Sequence, residues 1–256
     1  MHMRTMIVGG GALRPAFLAS AARCLSPDFV IAADRGIDAL YAADIRPGLI
    51  LGDYDSADAA VLRSARSSAA RDGAQVLTYP AEKNFSDMEA AVREAVKRKS
   101  GEIWLLGATG GRLDHFLANI LNLTIGTDAG TPSFMLDEQN LLFVTEQSVL
   151  FRREDEERRL TVGFSGCGPE YTGDAVYVTA RMPRAFRYLS FLPLGGPVEK
   201  LSLTGVKYPL EAFRLDGRAP SLTISNEMTE AEARADFDSG RLIVILSGDG
   251  RPDIFY

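Results

Sequence analysis

LILGDYDS, residues 49–56, decides how the amino-terminal half of this chain is read. An apolar run, residues 49–51, ends at Gly52 and then releases Asp53 and Asp55, two positions apart. If the backbone stays extended past the glycine, the two carboxylates point to the same side. Acids placed in this way repel and raise one another's pKa unless a cation lies between them. Gly52 admits close approach of a ligand to the backbone, and Ser56 can cap a helix that starts at Ala57. The plainer reading of the same residues is an Asx-type turn with both acids solvated.

The unit seen here, a short apolar strand running into glycine and polar residues and then a helix, recurs on both sides. Residues 4–8 lead into Gly9, Gly10 and Gly11 and a helix over 15–24. The triple glycine offers backbone N–H groups to a phosphate, but it has neither the GxGxxG nor the GK[ST] pattern, and a tight strand-to-helix turn accounts for it equally well. Residues 29–33 run into Asp34, Arg35 and Gly36, followed by a helix over 37–43. Residues 57–72 read as an alanine- and arginine-rich helix and 75–79 as a strand closed by Pro80.

In PAEKNFSDMEAAVREAVKRK, residues 80–99, Ser86 and Glu89 form a capping box. Asp87 therefore enters the first turn of a helix that runs to Lys99, where free N–H groups and the helix dipole stabilise its charge. A purely capping role for that acid is the alternative. Lys83 is either solvated or an ammonium facing phosphate. A strand over 102–106 then meets GATGGRLDHFLAN, residues 107–119. Gly107, Gly110 and Gly111 loosen the turn, Thr109 adds a hydroxyl, and Arg112, Asp114 and His115 crowd the start of a helix on which His115 and Asn119 share a face. The glycine-rich entrance favours a ligand site. His115, flanked by Phe116 and Leu117, also reads as a structural histidine, and alone it makes a poor metal site.

Alternation of strand, polar turn and helix predicts βαβ units around a mostly parallel sheet, with each polar loop at a strand's carboxyl end, where open α/β sheets hold ligands. After Ser133 the rhythm changes to short strands separated by Gly, Pro, Asp or Asn, which predicts an antiparallel β-sandwich. Strands are expected over 222–225 and 241–246, with a hairpin turn at 238–240; residues 152–159, RREDEERR, read as a solvated turn or hairpin. The expected fold class is α/β: an amino-terminal, mostly parallel sheet with flanking helices over residues 1–135, then an antiparallel β-sandwich domain over 136–256. Ser225 and Asn226 carry groups suited to a polar heterocycle, and both are also ordinary turn formers.

Composition narrows the chemistry. The 256 residues are 46% hydrophobic, enough for one large or two smaller domains. Lysine and arginine number 28 against 34 acids, a net charge of -6, which disfavours a nucleic-acid partner. Cys24 and Cys167 lie far apart, and the only histidines are His2 and His115, so neither a disulfide framework nor a histidine-built metal site is expected. No apolar stretch approaches the roughly 20 residues needed to span a bilayer, so a cytoplasmic location without membrane attachment is expected. Carboxylates without histidine or cysteine partners, glycine-rich turns and a few bases describe a site for Mg²⁺ and polyphosphate. In that reading Asp53 and Asp55 hold the ion and Asp87 and Asp114 complete an acidic rim. One carboxylate left free of the metal accepts a proton, and Arg35, Lys83 and Arg112 offset phosphate charge.

Taken together, AADRG (32–36), LGDYDS (51–56), YPAEKNFSDMEAA (79–91), GATGGRLDHFLANI (107–120), LTGVKYPL (203–210) and SNEM (225–228) resemble the bacterial form of thiamine pyrophosphokinase over nearly the whole chain. The resemblance implies an ATP-binding α/β domain, a β-sandwich domain and a homodimer with the thiamine site between subunits. It also implies transfer of the diphosphoryl group of ATP to the hydroxyl of thiamine. Magnesium and phosphate functions fall on Asp53, Asp55, Asp87 and Asp114, with the metal on the first three. Nucleotide contacts fall around Asp34, Arg35, Arg112 and His115, beside the candidates Lys83 and Thr109, and the thiamine ring falls near Ser225 and Asn226. One departure is Asn84, where the family usually carries an acid. The rival enzyme reading is a pyrophosphokinase for another heterocyclic alcohol such as a hydroxymethyl pterin; a nucleotide-binding module without catalysis is the reading from another class.

Overall fold

The computed structural model describes residues 3–52, 67, 73–79, 82, 84–154, 158–165, 176–183 and 185–249. The chain divides into two compact units, Met1–Asp137 and Glu138–Asp253. In the first, β1 (Arg4–Val8), β2 (Phe29–Ala33), β3 (Leu49–Gly52), β4 (Gln75–Thr78), β5 (Glu102–Leu106) and β6 (Ser133–Leu136) lie in the order β6-β5-β1-β2-β3-β4. Every adjacent pair is parallel. Helices among the described residues include α1 (Pro15–Leu25), α2 (Gly36–Ala42), α3 (Asp87–Lys97) and α4 (Leu113–Asp128).

The central strands read as unbroken apolar runs because both of their faces are covered. Met6, Ile7, Ile31, Leu49, Leu51, Ile103 and Leu105 are fully buried. Each such side chain contributes about 1.5–3 kcal/mol on leaving water. The helices bury matching stripes, Phe17, Leu18 and Leu25 on α1 and Ile37 and Leu40 on α2. Trp104 on β5 stacks on Phe134 of β6 at 4.5 Å between ring centroids. At the amino end of the sheet, Arg4 Nε and Trp104 Nε1 both donate to the buried carboxylate of Glu102. Pairing satisfies a charge whose burial alone would be costly.

From β1 the sheet grows outward through β2, β3 and β4 in one direction; α3 then carries the chain back, so that β5 and β6 add on the other side of β1. The direction of growth therefore reverses between β1 and β5. The strand ends that diverge at such a reversal leave a crevice outside the carboxyl edge.

Among the described residues the second unit's strand pairs are antiparallel. Its strands are β7 (Asn140–Thr145), β8 (Ser148–Glu154), β9 (Arg159–Ser165), β10 (Val176–Arg181), β11 (Tyr188–Pro193), β12 (Val198–Thr204), β13 (Leu210–Leu215), β14 (Asn226–Glu227), β15 (Glu232–Asp236) and β16 (Leu242–Ser247). They form the sets β14-β11-β16-β7 and β10-β9-β8-β15-β12-β13. Phe143 of β7 meets Phe151 of β8 and Phe164 of β9, and Phe151 meets Phe191 of β11, so aromatic rings from the two sets share one core. The two-part α/β plus antiparallel sandwich architecture is as expected.

Two local expectations fail for identifiable reasons. Residues 222–225 are not a strand. Pro220 presets a helical φ, a short 3-10 helix spans Pro220–Thr223, and Thr223 Oγ1 donates to Phe191 O at 2.5 Å. Residues 238–240 do not close a hairpin, because β15 and β16 belong to different sets of strands. The hairpin reading of 152–159 holds, since β8 pairs antiparallel with β9 from Ser148↔Ser165 to Glu154↔Arg159, although the charged end Arg152–Glu154 breaks the apolar pattern and hides the strand that leads into it. The expected helix over 57–72 lies outside the described residues. Among the described residues, no helix is long and apolar enough to cross a membrane.

Gly36 tests how tightly the carboxyl edge is packed. A Cβ placed there would lie 1.8 Å from Val8 O. G36A should lower unfolding free energy by roughly 2–3 kcal/mol, the range for overpacking that forces backbone to move. Chemical denaturation measures this, and wild-type stability in the variant would refute the close contact.

Candidate active site

The turns that follow β1 and β5 touch through their backbones. Gly9 N donates to Leu106 O at 2.8 Å and Gly11 N to Gly107 O at 2.9 Å. A Cβ on Gly107, where φ is 63°, would sit 2.5 Å from Gly9 O, and one on Gly11 would sit 2.5 Å from Gly107 O. Neither turn admits a side chain at these points. Glycine is required by space at both positions and at Gly107 by φ as well.

Above this contact opens a cleft of about 600 Å³, walled by the turns after β1, β2 and β5 and by the first turns of α3 and α4. It lies at the reversal in strand order. Asp34, Arg35, Asp87, Arg112, Asp114 and His115 all line it. Asp34 adopts φ 50° and donates its N–H to Leu51 O at 2.9 Å, an uncommon backbone state for a non-glycine residue at a strand end. Asp87 opens α3, where Ser86 Oγ accepts the Glu89 N–H at 3.1 Å; the Glu89 carboxylate accepts from Arg93 one turn on. The cap therefore forms as expected on its serine side and fixes where the Asp87 carboxylate starts.

Arg112 and Asp114 grip each other: Nη2 meets Oδ2 at 2.7 Å and Nε meets Oδ1 at 3.2 Å. The guanidinium hydrogen bond, helped by the His115 N–H at 2.9 Å, holds the Asp114 carboxyl at a pKa of about 2. The same pairing raises Arg112 above its ordinary value. Asp114 is thus an ionised group throughout the neutral range, already neutralised by its neighbour. Thr109 lies in the same turn with its carbonyl 2.8 Å from the Cβ position of Gly11, but it is not among the residues that wall the cleft.

Asp53, Asp55 and Lys83 lie outside the described residues. Gly52, the residue before Asp53, is bounded on the cleft side: a Cβ there would be 3.3 Å from Asp34 Cα and 3.6 Å from Asp87 Oδ2. The Asp87 carboxylate is therefore directed toward the end of β3. Among the described residues no three His, Cys, Asp or Glu side chains group closely enough to hold a metal. What they do offer, the carboxylates of Asp34, Asp87 and Asp114 beside a single histidine, suits a hard divalent cation.

Among the wall residues not expected as site residues are Met88 and Asn119. Met88 falls on the buried stripe of α3 and reads in sequence as core. For Asn119, the spacing of four from His115 was the available signal.

In the second unit, LTGVKYPL and SNEM come together. Lys207 N donates to Glu227 O at 2.9 Å, Thr229 N to Gly205 O at 3.0 Å, and Lys207 Nζ pairs with Glu227 at 3.2 Å. Lys207 and Arg187 draw the Glu227 pKa below the ordinary range. Asn226 is buried, and its amide is engaged by backbone: Oδ1 accepts from Tyr208 N at 3.0 Å and Glu227 N at 3.0 Å, while Nδ2 donates to Tyr208 O at 2.8 Å. Ser225 is exposed, with φ 56°.

Comparison with known proteins places both units. A family model described as thiamin pyrophosphokinase, catalytic domain, matches residues 24–132, and one described as thiamin pyrophosphokinase, vitamin B1 binding domain, matches 178–242. Thiamine pyrophosphokinase of Bacillus subtilis is 29% identical over 219 residues, covering 86% of this chain and 87% of that protein. Its crystal structure superposes with a TM-score of 0.75 at 28% identity, covering 96% of this chain and all of that one, 100%. Thiamin pyrophosphokinase from Geobacillus thermodenitrificans superposes with a TM-score of 0.73 at 30% identity over 97% of this chain and 99% of its own. The chain belongs to the thiamine pyrophosphokinase family.

Proposed function

We infer that this protein transfers the diphosphoryl group of ATP to the hydroxyl of thiamine, giving thiamine diphosphate and AMP. The observation that carries this reading is the cleft at the β1/β5 reversal, floored by two glycine turns and ringed by carboxylates and arginines, in a chain of this family. Such a transfer asks little covalent work of the protein; positioning and charge compensation dominate. The thiamine oxygen attacks the β-phosphorus, its proton passes to a base, and AMP leaves with the electrons of the broken P–O bond. Backbone N–H groups of the glycine turns approach the phosphates, and Arg35, Lys83 and Arg112 offset their charge.

Mg²⁺ would be held by Asp53, Asp55 and Asp87, and when bound it would neutralise charge on the polyphosphate oxygens. Asp34 and His115 stand where the nucleoside side of ATP enters the cleft, with Thr109 in the adjoining turn. Arg112 would meet phosphate with its Nη1 edge while Nε and Nη2 keep Asp114. In the second unit Asn226 shapes the thiamine pocket by clamping the Tyr208 peptide, and the exposed Ser225 hydroxyl faces the ring. Residues 136–256 provide the thiamine-binding and dimerisation domain, and a homodimer places the thiamine site between subunits.

The direct test is incubation with ATP and thiamine, with and without Mg²⁺: AMP and thiamine diphosphate should appear in equal amounts, only with the metal. ADP with thiamine monophosphate would overturn the reading. D55N should lower kcat by about two orders of magnitude, as loss of a main electrostatic stabiliser does. Near-normal kcat at saturating Mg²⁺ would remove Asp55 from the centre. N226A should raise the KM for thiamine roughly tenfold while leaving that for ATP in place, since it deletes hydrogen bonds that hold the Tyr208 turn. Equal shifts in both constants would mean a general loss of structure instead.

A further inference from the structure

Asn119 and Asn122 occupy adjacent turns of α4, and both are buried. Amides away from water carry a desolvation cost that hydrogen bonds must offset. Asn119 Nδ2 donates to Ala108 O at 2.9 Å, and Asn122 Nδ2 donates to Asn119 Oδ1 at 3.3 Å. The second amide orients the first. Were Asn119 flipped, its oxygen would face the Ala108 oxygen and its NH₂ would face the NH₂ of Asn122.

Ala108 lies in a turn with little conformational preference of its own, since Gly107, Gly110 and Gly111 have φ of 63°, 82° and 69°. Glycine at such positions leaves many alternatives open to the chain. The bond from Asn119 ties the turn back onto the body of the helix, eleven residues on. In a planar trans peptide the N–H of Thr109 points opposite to Ala108 C=O, so fixing the carbonyl fixes that donor too. Gly107, Ala108, Gly110 and Asn119 itself all wall the cleft.

We propose that Asn119, oriented by Asn122, is a positioning residue that holds the Ala108 peptide and so fixes the shape of the glycine turn that walls the cleft. The inference rests on reading the cleft as the ATP site. Asn119 touches no reacting atom in this role; it acts through the turn. The buried pair is needed because the glycine turn must leave room for the turn after β1 and still keep one shape.

N119D keeps the side-chain shape and replaces the donor with an oxygen. It should raise the KM for ATP roughly tenfold, the scale of a lost buried hydrogen bond left with an unpaired partner, with the KM for thiamine unchanged. Amide hydrogen exchange over residues 107–111, measured without nucleotide, should be faster than in wild type. N122L, which removes only the orienting donor, should give a smaller change of the same kind in both readouts. Wild-type exchange in N119D, or a loss confined to kcat or to the thiamine KM, would overturn the proposal. If wild-type protein itself makes no AMP, the ATP reading fails, while the exchange measurement still decides whether Asn119 holds the turn.

Discussion

The structure of the first unit depends on a contact between two backbones. At the carboxyl ends of β1 and β5 the turns pass so closely that Gly9 and Gly11 donate to Leu106 and Gly107, and side chains at Gly11 or Gly107 have nowhere to go. Backbone groups in that contact satisfy each other, as buried N–H and C=O groups must. Because the strand order reverses at the same place, the contact also becomes the floor of the cleft. One packing constraint thus builds both the sheet edge and the ligand site.

Around that floor the charged groups come from separate elements. Asp34 arrives from the end of β2, Asp87 from the capped start of α3, and Arg112 with Asp114 from the start of α4. Each helix is aimed by its contact with the sheet, so the carboxylates are positioned by the core rather than by each other. The pair formed by Arg112 and Asp114 shows how an exposed cleft carrying opposite charges satisfies itself before a ligand arrives. In the second unit the comparable device is neutral: the Asn226 amide closes on the Tyr208 peptide and joins two stretches far apart in sequence.

The sheet and its loops were legible because the buried parallel strands are continuous apolar runs ended by glycine, a pattern that neither a half-exposed strand nor a surface helix produces. The polar groups at the strand ends were legible for the same reason, and Asp34, Arg35, Asp87, Arg112, Asp114 and His115 do line one cleft. The second unit was less so. The charges in β8 conceal its pairing, and the segment 222–225 has strand-like residues whose conformation is set by Pro220 and by the Thr223 bond to Phe191. Asn226 shows a further limit: its type suggested a ligand group, but only the fold reveals that its amide is engaged by backbone. Asn119 shows the converse, a residue whose partner, Ala108, could not be named from sequence spacing alone.

A floor with no room for side chains has a consequence for how this site can change. Substitutions at Gly11 or Gly107 strike stability and ligand contact together, because the same atoms serve both. Adjustment of ligand preference is therefore left to the residues around the rim, such as Arg35 and Arg112, whose side chains reach into open space. The cleft is divided into a part that folding holds fixed and a part that can be retuned one residue at a time.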